Sequence, residues 1–202
     1  MSLHLTQNIW AVGRNYADHA KEMNAETPTV PFFFLKSGNC LNPGSVIHLP
    51  KWSQDVHYEL ELAFRIDENL SFSHATLALD LTARDAQSHA KKSGQPWTLA
   101  KSFIGACPIG SWISVLELKE FENITFELKK NHQIVQSGQT RDMVFKPAQL
   151  LEFIKDHYPL SEHDLILTGT PAGVGPLHSG DLLTAELRVE NQTLLTCHWD
   201  VI

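Results

Sequence analysis

Glu59 and Glu61, separated by one residue, and Asp80, set inside an apolar run, are the side chains with the most chemistry to offer. Residues 56–66 read VHYELELAFRI, an unbroken period-2 alternation that predicts a half-buried strand. His57, Glu59, Glu61, Ala63 and Arg65 then share one face, with the two glutamates about 7 Å apart as second neighbours. Asp80 follows Ala75-Thr76-Leu77-Ala78-Leu79, so its carboxylate needs a cation, hydrogen bonds or a proton. Three carboxylates that met would offer hard oxygen ligands to a divalent cation and leave positions open for water or substrate. Taken alone, the same residues also fit plainer roles. The glutamates suit a solvent-facing strand edge, and Asp80 suits a structural ion pair, for example with Arg84.

His19 and Glu22 are three residues apart and share a face if residues 16–24 are helical. A carboxylate beside an imidazole fixes its tautomer and raises its basicity, which is what a general base needs. The alternative is a surface pair that only supports the helix. Lys101 lies in Trp97-Thr98-Leu99-Ala100-Lys101-Ser102-Phe103. It could hold a substrate carboxylate or an oxyanion, or simply snorkel to solvent. The glycine-rich stretch 167–176 has no Lys-Ser or Lys-Thr to close a phosphate loop and does not fit the dinucleotide fingerprint. It predicts a strand end followed by tight turns. Neither G-x-S-x-G nor H-E-x-x-H occurs.

These side chains must be positioned by many short elements. Strands are predicted over 8–12, 30–35, 56–66, 76–82, 124–128, 133–137, 165–168, 181–189 and 193–200. The pair 124–128 and 133–137 reads as a hairpin around Lys130-Asn131-His132, and the last two strands join at 190–192. Helices are predicted over 16–24, with Asn15 as N-cap and Asp18 three residues on, over 85–92, and over 147–157. Runs of strands with few helices indicate a β-rich α+β architecture, and no repeat or linker divides residues 1–202.

The 202 residues carry a net charge of -7, which disfavours a nucleic-acid partner. No stretch approaches the roughly 18 apolar residues of a membrane span, and no signal peptide is expected. Cys40, Cys107 and Cys197 are few, odd in number and widely spaced. They fit buried thiols in a reducing, cytoplasmic setting.

Several segments together resemble the fumarylacetoacetate hydrolase family in its short form: VGRNYADHAKEM (12–23), PFFFLKSG (31–38), HYELELAFRI (57–66), LDLTARDAQ (79–87), PWTLAKSF (96–103), the hairpin with its trailing 142–145, and DLILTGTPAGVGP (164–176). The likeness is greatest to its acylpyruvate hydrolase and oxaloacetate decarboxylase branch. It implies a mixed β-sandwich roll with short peripheral helices, usually a homodimer. It also implies Mg²⁺, or Mn²⁺ or Ca²⁺, on Glu59, Glu61 and Asp80, and a water-activating dyad of His19 and Glu22. Arg84, Gln87, Lys101 and Thr170 would line the substrate pocket.

The function implied is hydrolysis of a carbon–carbon bond in acylpyruvates or related 2-oxo acids through a metal-stabilised enolate, with Lys101 assisting catalysis. Oxaloacetate decarboxylation and hydroxydienedioate isomerisation are alternatives on the same site. A non-catalytic small-molecule-binding protein that has kept the fold is the alternative from another class. Three departures stand out. The segment 65–79 is shorter than is usual in such proteins, which bears directly on where Asp80 falls. Ser37-Gly38 stands where a proline commonly follows Phe-Leu-Lys, and Asn131-His132 replaces an Asn-Gly turn.

Overall fold

The computed structural model describes residues 6–22, 26–118, 121–190 and 192–202. Two sheets dominate. A six-stranded mixed sheet runs in the order Ile113–Ser114, Phe72–Leu79, Leu60–Ile66, Leu165–Leu167, Asn8–Gly13, Phe32–Ser37. A five-stranded sheet runs in the order Gln133–Gln139, Ile124–Lys130, Leu182–Val189, Gln192–Val201, Val46–Ile47. Phe126, Leu128, Ala185 and Leu187 of the second sheet share one core with Leu62, Leu77 and Leu165 of the first. Trp10, Val12, Phe33 and Ile166 instead pack with Leu150, Leu151 and Ile154 of the helix Pro147–His157. The apolar stripe of that helix thus covers the six-stranded sheet away from the shared core. The β-rich α+β expectation is met, with few and short helices at the periphery.

Two expectations about this sheet need correction. The strand expected over 56–66 is neither continuous nor half-buried. It breaks at Glu59 into Val56–Tyr58 and Leu60–Ile66, and every residue of the latter is buried. Leu60–Ile66 is bordered by strands on both edges and by protein on both faces, so its polar positions point into the interior rather than to water. The chain changes sheet at the break, because Val56–Tyr58 belongs to a three-stranded sheet with Thr82–Ala83 and Gly175–Pro176. The expected strand 76–82 behaves the same way: Phe72–Leu79 stays in the large sheet and Thr82–Ala83 joins the small one. Glu59 and Asp80 therefore both sit where neighbouring segments cross from one sheet to the other.

The short segment before Asp80 is a tight hairpin. Asp67 closes it, with its carboxylate accepting from the Asn69 and Ser71 backbone at 2.9 and 2.8 Å. It connects strands paired Leu60↔Leu79 and Glu61↔Ala78, and the Asp80 amide donates to the Glu59 carbonyl at 2.8 Å. The turn lies at the far end of the strand pair, and Asp80 sits beside the glutamates at the other end.

Asn131 (φ 50°) and His132 (φ 68°) are both left-handed, as a two-residue hairpin turn requires. The first helix runs Ala17–Glu22; residues 23 and 24 of the expected helix, and Asn191 of the expected final turn, lie outside the described residues. Asn15 is not its side-chain cap. Its amide donates to the Phe145 and Thr168 carbonyls at 2.9 and 2.8 Å, and its Oδ1 accepts from the Phe145 amide at 2.7 Å. This buried residue ties three segments together instead. Among the described residues no helix is long and apolar enough to cross a membrane.

Candidate metal and active site

The six-stranded sheet, the helix Arg84–Ser93 and the four-residue helix Thr98–Lys101 enclose a cavity of about 280 Å³. Its lining includes Glu59, Glu61, Asp80, His19, Arg84, Gln87, Lys101 and Thr170. Of the anticipated site residues, Glu22 alone is not part of this lining, and it reaches the cavity through His19.

Glu59, Glu61 and Asp80 are buried, and one oxygen from each lies within 4.8 Å of the others. The plain alternative of a solvent-facing strand edge fails, since Glu61 is only 1% exposed. The alternative pairing of Asp80 with Arg84 fails as well. Arg84 Nη2 donates to Glu59 Oε1 at 2.5 Å and its Nη1 to Gln87 Oε1 at 2.9 Å. Lys101 does not snorkel. It is buried, donates to Glu59 Oε2 at 2.7 Å, and also bonds Asp80 Oδ2.

Asp80 has a second partner that the sequence reading passed over. Lys36 Nζ donates to Asp80 Oδ1 at 2.6 Å and to the Ala106 carbonyl at 2.9 Å, with no exposure at all. The strand expected over 30–35 runs Phe32–Ser37, which brings Lys36 into the sheet. The signal was available: a lysine after three phenylalanines and a leucine raises the same question about a buried charge that Asp80 did.

The cations are shared unevenly. Glu59 contacts Arg84 and Lys101, and Asp80 contacts Lys36 and Lys101. Among the described residues Glu61 contacts no cation, and its carboxylate accepts only the Gly169 amide, at 2.5 Å. Burial raises the Glu61 pKa well above the carboxylate range, and the Asp80 and Glu59 charges raise it further. For Glu59 burial acts in the same sense, yet Lys101 and Arg84 hold its carboxyl well below that range. A corner of three carboxylate oxygens, one of them without a cation in contact among the described residues, suits a hard divalent cation.

His19 is buried, and its Nδ1 lies 3.0 Å from Glu22 Oε2. That contact commits Nδ1 and leaves Nε2 for chemistry. Glu22 is itself fixed by the Gly173 amide, which donates to its two oxygens at 3.1 and 3.3 Å. The glycine-rich stretch expected only to turn thus carries two site contacts, Gly169 to Glu61 and Gly173 to Glu22. Both glycines have positive φ, 91° and 98°, and a Cβ on Gly173 would lie 2.0 Å from the Val135 carbonyl oxygen.

Gly173→Ala must therefore move the loop and loosen Glu22. A fall in kcat of about 10- to 100-fold is expected, because small misplacements of a catalytic group are costly. Steady-state kinetics on the folded variant test it, and an unchanged kcat would remove the loop from the dyad's support.

Thr170 and Gln136 brace the floor. The Thr170 hydroxyl donates to the Leu60 carbonyl at 2.9 Å and accepts from Gln136 Nε2 at 2.8 Å. Gln136 Oε1 accepts the Leu60 amide at 2.8 Å. This side chain supplies the bond that the broken strand cannot, and nothing in the local sequence around Gln136 announced it.

The sequence profile described as fumarylacetoacetate (FAA) hydrolase C-terminal matches residues 8–198. The mitochondrial oxaloacetate decarboxylase of Dictyostelium discoideum is 42% identical over 189 residues, covering 88% of this chain and 87% of that protein. The mitochondrial oxaloacetate tautomerase FAHD1 of Bos taurus is 38% identical over 190 residues, covering 89% and 86%. A crystal structure of fumarylpyruvate hydrolase from Pseudomonas aeruginosa with Mn²⁺ and pyruvate superimposes with a TM-score of 0.89 at 25% identity, covering 98% of this chain and 90% of that one. With the profile spanning nearly the whole sequence, and with such relatives in both sequence and fold, the chain belongs to the fumarylacetoacetate hydrolase family.

Proposed function

We propose that this chain is a divalent-metal-dependent hydrolase that cleaves a carbon–carbon bond in acylpyruvates or related 2-oxo acids. The observation that carries the reading is the shared cavity: three converging carboxylates and a His–Glu dyad open on the same space. Glu59, Glu61 and Asp80 would hold Mg²⁺, Mn²⁺ or Ca²⁺. When bound, the ion supplies Lewis acidity toward the 2-oxo acid. His19, oriented by Glu22, takes a proton from water through Nε2, and the hydroxide adds to the distal carbonyl. The carbon–carbon bond then breaks, with its electron pair and a proton going to the pyruvyl carbon. Lys101 stabilises the oxyanion or the carboxylate, Arg84 and Gln87 orient the acid head, and Thr170 shapes the floor.

A second reading, oxaloacetate decarboxylation or tautomerisation, is favoured by the relatives bearing those names. A chelator-controlled panel of acetylpyruvate, oxaloacetate and a hydroxydienedioate separates the readings. Chelator-sensitive loss of acetylpyruvate is expected, and no turnover of any of the three would leave a binding protein. His19→Ala should keep metal binding and lose hydrolysis by at least about 100-fold, within the usual range for a general base. Full hydrolysis in that variant would sink the dyad. We read residues 1–202 as one catalytic domain acting as a homodimer, which light scattering checks. The three cysteines are buried free thiols, in keeping with a cytoplasmic setting.

A further inference from the structure

Lys36, Arg65 and Lys101 are the buried lysine and arginine side chains among the described residues. Lys36 is answered by Asp80, and Lys101 by Glu59 and Asp80. Arg65 has no such carboxylate among the described residues. It is only 3% exposed, and its Nε and Nη1 are both buried without a hydrogen-bond partner. A guanidinium does not give up its proton in a protein. A buried lysine or carboxylate can turn neutral, but Arg65 stays charged, and an interior charge is costly unless an opposite charge meets it. Arg65 lies on the strand Leu60–Ile66, about 13 Å along it from Glu61 and outside the lining of the metal-site cavity.

The carboxylates that the fold brings to this end of the sheet are engaged elsewhere. Leu165 pairs with Arg65, so Asp164 projects to the other face. There it accepts from Trp10 Nε1 at 3.0 Å and from the Asn8 and Ser161 amides, each at 3.1 Å. Asp67 accepts the Asn69 and Ser71 amides of its own hairpin, and Glu117 accepts the Ser114 amide at 2.9 Å. On its other flank Arg65 pairs with His74. Side chains directly opposite in antiparallel strands share a face, with Cβ atoms about 5 Å apart. His74 Nδ1 is likewise buried and without a partner among the described residues. The register shifts at this point. Ile66 pairs with Phe72, which leaves Ser73 as the extra residue, its hydroxyl donating to the Arg65 carbonyl at 3.1 Å. Bulges of this kind re-aim side chains and recur beside binding sites.

We infer that Arg65 and His74 together bind a small monovalent anion of the chloride class, held on the shared face of the strands Leu60–Ile66 and Phe72–Leu79. The anion answers the guanidinium charge and accepts from the imidazole, whose Nδ1 donates in the tautomer that carries its proton there. The enclosure of the guanidinium favours a compact ion over phosphate or sulfate, and one guanidinium balances one negative charge. This site is separate from the metal corner and from the bond that breaks. Its effect is on the stability of the strand pair that carries Glu61.

The test compares thermal unfolding in sodium chloride or bromide with unfolding in sodium gluconate, a bulky anion, at equal ionic strength. At a halide concentration of about 100 times Kd the wild-type Tm is expected to rise by about 5–10 °C. Halide also reaches the cations of the cavity, so Arg65→Met separates the two places. In gluconate this variant should melt at or above the wild type, because the unanswered charge is gone, and its response to halide should vanish. His74→Phe should keep the response but weaken the apparent Kd by about tenfold, the usual scale for one charge-assisted contact. No difference between halide and gluconate in the wild type, or an equal halide response in Arg65→Met, overturns the inference. A measurement on the wild type keeps the test decisive should the variants fail to fold. In crystals soaked in bromide, anomalous scattering is expected to place an ion in contact with both Arg65 and His74. Bromide confined to the cavity cations, or water between Arg65 and His74, overturns it.

Discussion

Glu61→Gln is expected to abolish metal binding and turnover while making the metal-free protein more stable. Glu61 is buried, has no cation in ion-pair contact among the described residues, and faces the charges of Glu59 and Asp80. Burial and like-charge repulsion raise its pKa on folding, so above the ordinary carboxylate range the folded state must bind a proton that the unfolded chain does not, and each pKa unit of that opposition costs about 1.4 kcal/mol. Glutamine has the same shape. Its carbonyl can keep the Gly169 amide bond, and its amide can donate to a neighbouring carboxylate. Removing the titratable group should therefore gain about 1 kcal/mol, which for a chain of this size is about 2–4 °C in Tm. The cation would lose the one ligand whose charge is not already offset, and affinity should drop more than about 100-fold, beyond what indirect perturbations of metal sites cause. Differential scanning fluorimetry with and without Mg²⁺ or Mn²⁺ reads both effects. The wild type should gain about 2.7 kcal/mol at a metal concentration of 100 times Kd, and the variant should gain nothing. A metal-dependent rise in Tm that survives in Glu61→Gln would show that the ion is held elsewhere.

Lys36→Met carries the largest expected cost in stability. Lys36 is completely buried, with its ammonium on Asp80 Oδ1 and the Ala106 carbonyl. Burial alone would lower its pKa, but Asp80, together with smaller contributions from Cys40 and Cys107, more than offsets this and the net shift is upward. A cation whose pKa is raised on folding contributes fully at pH values below its ordinary range. That contribution is present throughout the neutral range and fades only as the pH climbs through the raised lysine value. Breaking a buried pair by removing one partner costs about 3–5 kcal/mol. Lys101 still bonds Asp80, so the lower end, about 3 kcal/mol, is expected, or about 6–12 °C in Tm. The metal-free protein should be used, because a bound cation would mask the loss. Adding Asp80→Asn should recover part of the cost, since the stranded charge is then gone. Equal Tm values for wild type and Lys36→Met would mean that this pair contributes nothing.

The wider consequence is that the site is built on electrostatic opposition. Arg84, Lys101 and Lys36 offset Glu59 and Asp80, and Glu61 is left over. A protein with no need of a cation would gain stability by losing that carboxylate, which is why the Glu61 substitution tests function and folding at once.

Local pattern in the sequence was enough to place the helix Pro147–His157, the hairpin at Asn131-His132 and most strands within a few residues, because periodicity and turn chemistry act over short range. The ordered motifs were enough to identify the family and to name Glu59, Glu61, Asp80, His19, Glu22, Arg84, Gln87, Lys101 and Thr170, all of which converge on one cavity directly or, for Glu22, through His19. What periodicity could not reveal is that VHYELELAFRI leaves one sheet for another at Glu59. A break in pairing depends on which partners lie alongside, and those come from 72–79, 82–83 and 165–167. For the same reason the alternation read as half-buried, although a central strand between two packed layers buries both faces. The choice of ionic partners was also tertiary. Lys36 and Asp80 are 44 residues apart and Lys101 and Glu59 are 42 apart, and buried charges pair by proximity in space rather than along the chain. The three carboxylates were legible as residues. That they share one corner, with Glu61 the one without an ion pair among the described residues, was decided by the crossing of two strands between sheets.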